Sequence, residues 1–160
     1  MVPLSFGDAL LGVLLVVANL TDLRTQKIKN WLTFPVAAGG LVWASATPPW
    51  HDGVLGFGAA AATAIPGWRF GGAIRAGDVK MLIAAGTILG PEAAIRAVLF
   101  TYALGIPYGL VVLALRGRLT RLVSFYQQRG AGMEPTVVAY APVVSAGVLI
   151  ARFTGWIDLW

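Results

Sequence analysis

Six stretches of this chain, residues 3–20, 31–46, 53–68, 79–89, 93–115 and 136–153, are apolar blocks and not the short periodic stripes of a soluble domain. Blocks of that length read as membrane helices. The expected fold is therefore all-α: a polytopic membrane protein with about six transmembrane helices. Only 12% of the residues are charged while 58% are hydrophobic, which suits a bilayer better than water. No Ser/Pro-rich linker, charged tail or internal repeat divides the chain, so residues 1–160 are expected to form a single membrane-embedded domain. Cysteine is absent, which excludes disulfides, thiolate metal sites and a cysteine nucleophile. The lone His51 cannot build a histidine metal site, and no metal or cofactor is expected. A net charge of +5 could suggest nucleic acid, but the basic residues sit in short loops between apolar blocks, without an RNA-binding pattern. The expected surroundings are lipid.

Topology accounts for those basic residues. Arg24, Lys27 and Lys29 follow the first block, Arg69, Arg75 and Lys80 surround the link from the third to the fourth, and Arg116, Arg118, Arg121 and Arg129 follow the fifth. Arg96 and Arg152 fall toward the other side, where the connections carry Asp52, Glu92 and Asp158. Loops rich in Lys and Arg stay in the cytoplasm, so both termini are expected outside. The first block is expected to be a retained helix, since it lacks the basic start and small-residue cleavage site of a signal peptide.

On this topology two carboxylates share the cytoplasmic side: Asp22 at the inner end of the first helix and Asp78 at the inner end of the fourth. The fourth block would be only about 16 Å long at 1.5 Å per residue, against roughly 30 Å of hydrocarbon. Either its outer turn at Gly90 and Pro91 dips into the membrane, or Asp78 lies recessed in a cavity that water reaches. The second option would explain an aspartate at the mouth of an apolar helix, because irregular backbone such as "GGAIRAG" is tolerated at depth where it lines a polar cavity. Each aspartate also has a plain reading. Asp78 directly before an apolar run looks like a helix N-cap, and Asp22 near Arg24 and Lys27 looks like a solvated helix end. Taken together, two aspartates on one face from independent helices form the constellation that aspartic hydrolysis requires: one protonated to polarise the scissile carbonyl, one ionised to take a proton from water.

Three stretches, "TDLRTQKIKNWLT" (21–33), "RAGDVKMLIAAGTILG" (75–90) and "YAPVVSAGVLIA" (140–151), resemble in order and spacing the signature regions of type IV prepilin peptidases, the bacterial members of the GxGD aspartic proteases. The resemblance implies an aspartic endopeptidase in the bacterial cytoplasmic membrane that cuts the short basic leader from pilin-like precursors, after a glycine and before the apolar helix. It maps the catalytic pair onto Asp22 and Asp78. In one respect the chain departs from the pattern: Arg75 stands where the family motif begins with glycine, and only Gly77 is retained, where it would permit close backbone approach or a positive φ. A second departure is the lack of the N-terminal, often cysteine-bearing region linked to methylation in larger relatives. The chain thus looks like the minimal type found with tight-adherence pilus systems, and no methyltransferase activity is expected.

Other residues have several readings. Lys80 either snorkels to the inner interface or supports the site, and Asn30, before the second apolar run, reads as a helix cap. Trp43, Trp50, Trp68, Trp156 and Trp160 read as interfacial anchors. Asp8 near the outer edge has no evident partner. Tyr102, Tyr108 and the run "GFGAAAATA" read as helix packing. Two other functions compete with the peptidase. One is a silent scaffold of pilus assembly, favoured by Arg75; the other is a small transporter using Asp22, Asp78 and Lys80, disfavoured because polar groups gather on one side.

Overall fold

A computed structural model describes residues 5–71, 74–115 and 139–154. The described residues form six α-helices and no strand: α1 (Phe6–Thr25), α2 (Asn30–Ser45), α3 (Asp52–Pro66), α4 (Ala76–Leu89), α5 (Pro91–Leu115) and α6 (Ala141–Thr154). A π-helical turn, Gly67–Gly71, continues α3. Each expected apolar block thus supplies one helix. The basic run Arg116 to Arg129, the first residues of the sixth block, Trp156, Asp158, Trp160 and part of "GGAIRAG" lie outside the described residues.

Local chemistry sets the helix ends. At the start of α1 the Ser5 hydroxyl accepts the Asp8 N–H at 3.1 Å while the Asp8 carboxylate accepts the Ser5 N–H at 3.0 Å, a reciprocal capping box. That helix closes at Gln26, which adopts a left-handed φ of 53° and donates its N–H to the Asp22 carbonyl at 2.8 Å. At its own C-terminus α4 reaches Gly90, whose φ of +80° glycine adopts without steric cost, and Pro91 opens α5 in the position where a missing N–H is harmless.

Helix α4 is the axis of the bundle. It packs against all five others, while α1, α2, α3, α5 and α6 follow one another around it and α6 closes the ring on α1. Close approach of α3 is made possible by glycine on both sides. A Cβ placed on Gly86 would lie 2.6 Å from the Gly56 carbonyl oxygen and 2.9 Å from the Ala60 Cβ, and one on Gly56 would collide with the Gly86 carbonyl. The small-residue run of α3 is helix packing, as its composition suggested.

Apolar side chains face outward as well as into the core, and a few polar ones are buried. Val13, Val16 and Leu20 of α1, Phe34 and Val42 of α2, and Leu99, Ile106 and Val111 of α5 are exposed. Asp22, Thr33, Asp78, Thr87, Thr101 and Ser145 are buried. Two helical segments, Phe6–Thr25 and Pro91–Val112, are long and apolar enough to cross a membrane.

Candidate active site

Because the helices alternate in direction, the end of α1, the starts of α2 and α4, the π-turn after α3 and the start of α6 share one end of the bundle. Asp22 and Asp78 are both buried there. Asp22 lies on the last turn of α1 and is 4% exposed; Asp78 is the third residue of α4 and is 3% exposed. The two carboxyl groups interact electrostatically, and Tyr140, just before α6, lies close enough to Asp78 to do the same.

Each carboxylate is held by a helix start. The Asp22 Oδ2 accepts the N–H of Ala141, the first residue of α6, at 2.9 Å, so an N–H that has no partner within its own helix is satisfied by the acid. The positive end of the α6 dipole faces the same group. The Asp78 Oδ2 accepts the Arg75 N–H at 3.0 Å. Asp78 is therefore not the N-cap of α4, as its place before the apolar run suggested; the cap position belongs to Arg75. The helix begins at Ala76, ahead of its apolar residues, and this moves Asp78 into the first turn and inward.

Polar contacts join α1 and α6 along their length. One turn before Asp22, the Asn19 amide donates to the Ser145 hydroxyl at 2.6 Å and to its own Leu15 carbonyl at 2.7 Å. At the far end the Arg152 guanidinium pairs with Asp8 at 2.9 Å. Asp8 thus has the partner that was not evident from sequence, a residue 144 positions away.

The remaining candidates fall around this pair. Gly77 packs against the link between α1 and α2, where an added Cβ would come within 3.3 Å of the Ile28 Cβ, so its role is close approach and not a positive φ. The Lys80 ammonium donates to the Asn30 side-chain oxygen at 2.8 Å, joining α4 to α2. Asn30 is consequently not a cap: it is the first residue of α2, Lys29 occupies the cap position without a side-chain bond, and the amide is committed across the helix interface. Arg24 is exposed on the last turn of α1, where a cation complements the helix dipole. The Arg75 side chain reaches the Gln26 carbonyl at 3.4 Å.

Sequence reasoning did not assign roles to Asn19, Ser145, Ala141 or Tyr140. Tyr140 sits edge-on to Tyr108 with ring centroids 6.2 Å apart, and its hydroxyl donates to the Thr101 carbonyl at 3.3 Å. Tyr108 in turn donates to the Ala139 carbonyl at 2.9 Å, so these rings seat the start of α6. The available signal was Tyr140 itself, which opens the stretch "YAPVVSAGVLIA". Among the described residues no three His, Asp or Glu side chains come together as metal ligands.

The opposite end of the bundle is also polar. A cavity of about 560 Å³ opens at the C-terminal end of α4, with Asp8, Asp52, Glu92, Arg96 and Arg152 in its wall. Glu92 pairs with Arg96 as Asp8 does with Arg152. The expectation that polar groups gather on one side is therefore corrected, because side chains remote in sequence converge where the short central helix ends.

The described residues thus form a helical bundle that buries two aspartates from separate helices at one end. Residues 9–110 match the profile of the type IV leader peptidase family, and the chain belongs to that family. The match includes both aspartates; the third signature stretch, 140–151, lies beyond it. Comparison with curated proteins and with solved structures gave no match.

Proposed function

We propose that this chain is a membrane aspartic endopeptidase of the bacterial cytoplasmic membrane that removes the short basic leader from type IV pilin-like precursors at the cytoplasmic face, with Asp22 and Asp78 as the reacting pair. The observation that carries this reading is the burial of two carboxyls at the same end of the bundle, within electrostatic reach of each other, in a chain of the leader peptidase family. The ionised carboxylate takes a proton from water as the water oxygen attacks the scissile carbonyl, which the protonated partner polarises. Collapse of the tetrahedral intermediate breaks the C–N bond, and the proton held by the pair passes to the leaving amine. No cofactor enters this cycle.

An apolar exterior around a bundle that buries two aspartates supports a multi-pass membrane setting, since lipid tails solvate exposed Val, Leu and Phe but not a buried Asp. The exposed cations Arg24, Lys27, Lys29 and Arg69 lie at the aspartate end, which supports placing that end in the cytoplasm and both termini outside. At 14 residues, about 21 Å, α4 remains shorter than the roughly 30 Å of hydrocarbon, and the cavity at Gly90 supports an outer end that stops below the surface. In this cysteine-free chain, a cysteine replacing Lys27 is expected to react with a membrane-impermeant thiol reagent only from the cytoplasmic side, and one replacing Asp52 only from outside. The reverse labelling pattern would overturn the orientation.

Transport is disfavoured, although both ends are polar. Leu14, Met81, Leu82, Val98, Val144 and Val148 are fully buried and fill the bundle with apolar side chains. Co-expression with a tagged pilin precursor distinguishes the peptidase from a silent scaffold. Cleavage is expected as a gain in precursor mobility; an unchanged precursor in the presence of folded protein would favour the scaffold.

A further inference from the structure

Arg75, the residue that departs from the family pattern, is bonded to both aspartate-bearing helices. Its backbone is extended (φ −94°, ψ 161°) as the chain turns into α4, and its N–H donates to the Asp78 carboxylate at 3.0 Å. Its guanidinium reaches across to the Gln26 carbonyl at 3.4 Å, and Gln26 is the residue whose own N–H closes α1 on the Asp22 carbonyl at 2.8 Å. A continuous path, Asp78 to Arg75 to Gln26 to Asp22, therefore crosses the mouth of the site.

We propose that Arg75 is a positioning residue that latches the end of α1 to the start of α4 and so sets the separation of Asp22 and Asp78. Glycine at this place could supply the same N–H to Asp78. It would leave the Gln26 carbonyl without the guanidinium, and the two helix ends would meet there through packing such as Gly77 on Ile28. Gln26 needs the support, because a left-handed backbone is unfavourable for a residue with a Cβ. The guanidinium makes one bond to one carbonyl, not a bidentate fork. A lysine ammonium can provide that single bond, whereas a methionine of similar length cannot.

Two readouts separate this latch from the peptidase reading, on which only the kinetic one rests. In the first, spin labels on cysteines replacing the exposed Lys27 and Ala76 report the distance between the helix ends in detergent or bilayer. Arg75→Met is expected to broaden and lengthen that distribution, and Arg75→Lys to leave it near the parent's. In the second, precursor cleavage by Arg75→Met is expected to lose about ten-fold in kcat with KM within about two-fold, since small misplacements of reacting groups act on kcat. Arg75→Lys should recover most of the loss. A distance distribution unmoved by Arg75→Met, or an Arg75→Lys variant that behaves like Arg75→Met in both readouts, would overturn the latch. Broadening in Arg75→Met with no cleavage by the parent chain would support the latch and count against the peptidase.

Discussion

Asparagine at position 22 or 78 abolishes precursor cleavage while the bundle still assembles: this is the expected result of the two substitutions that test the reacting pair. The amide has the shape of the acid, and its oxygen can still accept the Ala141 N–H at position 22 or the Arg75 N–H at position 78. What it cannot do is lend or take the proton that the reaction moves. Loss of acid–base catalysis alone is worth roughly 10²–10⁴ in rate, and removal of either partner disables both roles, so cleavage should fall below detection in a mobility-shift assay. Asp8→Asn is the control. Asp8 lies at the other end of the bundle in an ion pair with Arg152, so its loss should lower thermal stability while processing continues. Near-normal processing by either the position 22 or the position 78 variant would remove that residue from the chemistry.

The helices were legible in the amino-acid sequence because the apolar blocks are continuous and separated by turn chemistry. The shared end of the two aspartates was legible too, because it follows from alternating helix direction alone. The start of α4 was not: Ala76, Gly77 and Asp78 carry no apolar signal, and the helix begins where the Arg75 backbone and the Asp78 carboxylate pair. Contacts between helices were equally hidden. Asn19 with Ser145, Lys80 with Asn30 and Asp8 with Arg152 join positions 50 to 144 residues apart, and no periodicity within one helix encodes such a partner. Asn30 shows how this misleads. Its residue type suits a cap, but a lysine arriving from another helix competes for the same oxygen, and the tertiary bond wins.

A soluble peptide spanning only a leader and its cut site should be a poor substrate, and the reason lies in charge. The aspartate end carries the exposed cations Arg24, Lys27, Lys29 and Arg69, with Arg75 half-buried among them. On the proposed function, a basic leader would not be drawn to such a rim by attraction, and its charge would serve mainly to keep the scissile bond on the cytoplasmic side of the membrane. Binding is then expected to come from the apolar helix that follows the cut. Leu20, Leu23, Trp31 and Phe34 are exposed beside the aspartate end and offer that helix a surface to pack on within the membrane. Confinement to the bilayer adds to this, because tethered partners meet at a high effective concentration, commonly worth a factor of about 10²–10⁴. The kcat/KM for the leader-only peptide should therefore fall roughly 100-fold or more below that for a precursor retaining its apolar helix, measured in the same detergent or bilayer. Comparable values for the two substrates would show that recognition is local to the leader, and the apolar exterior would then have no part in selecting what is cut.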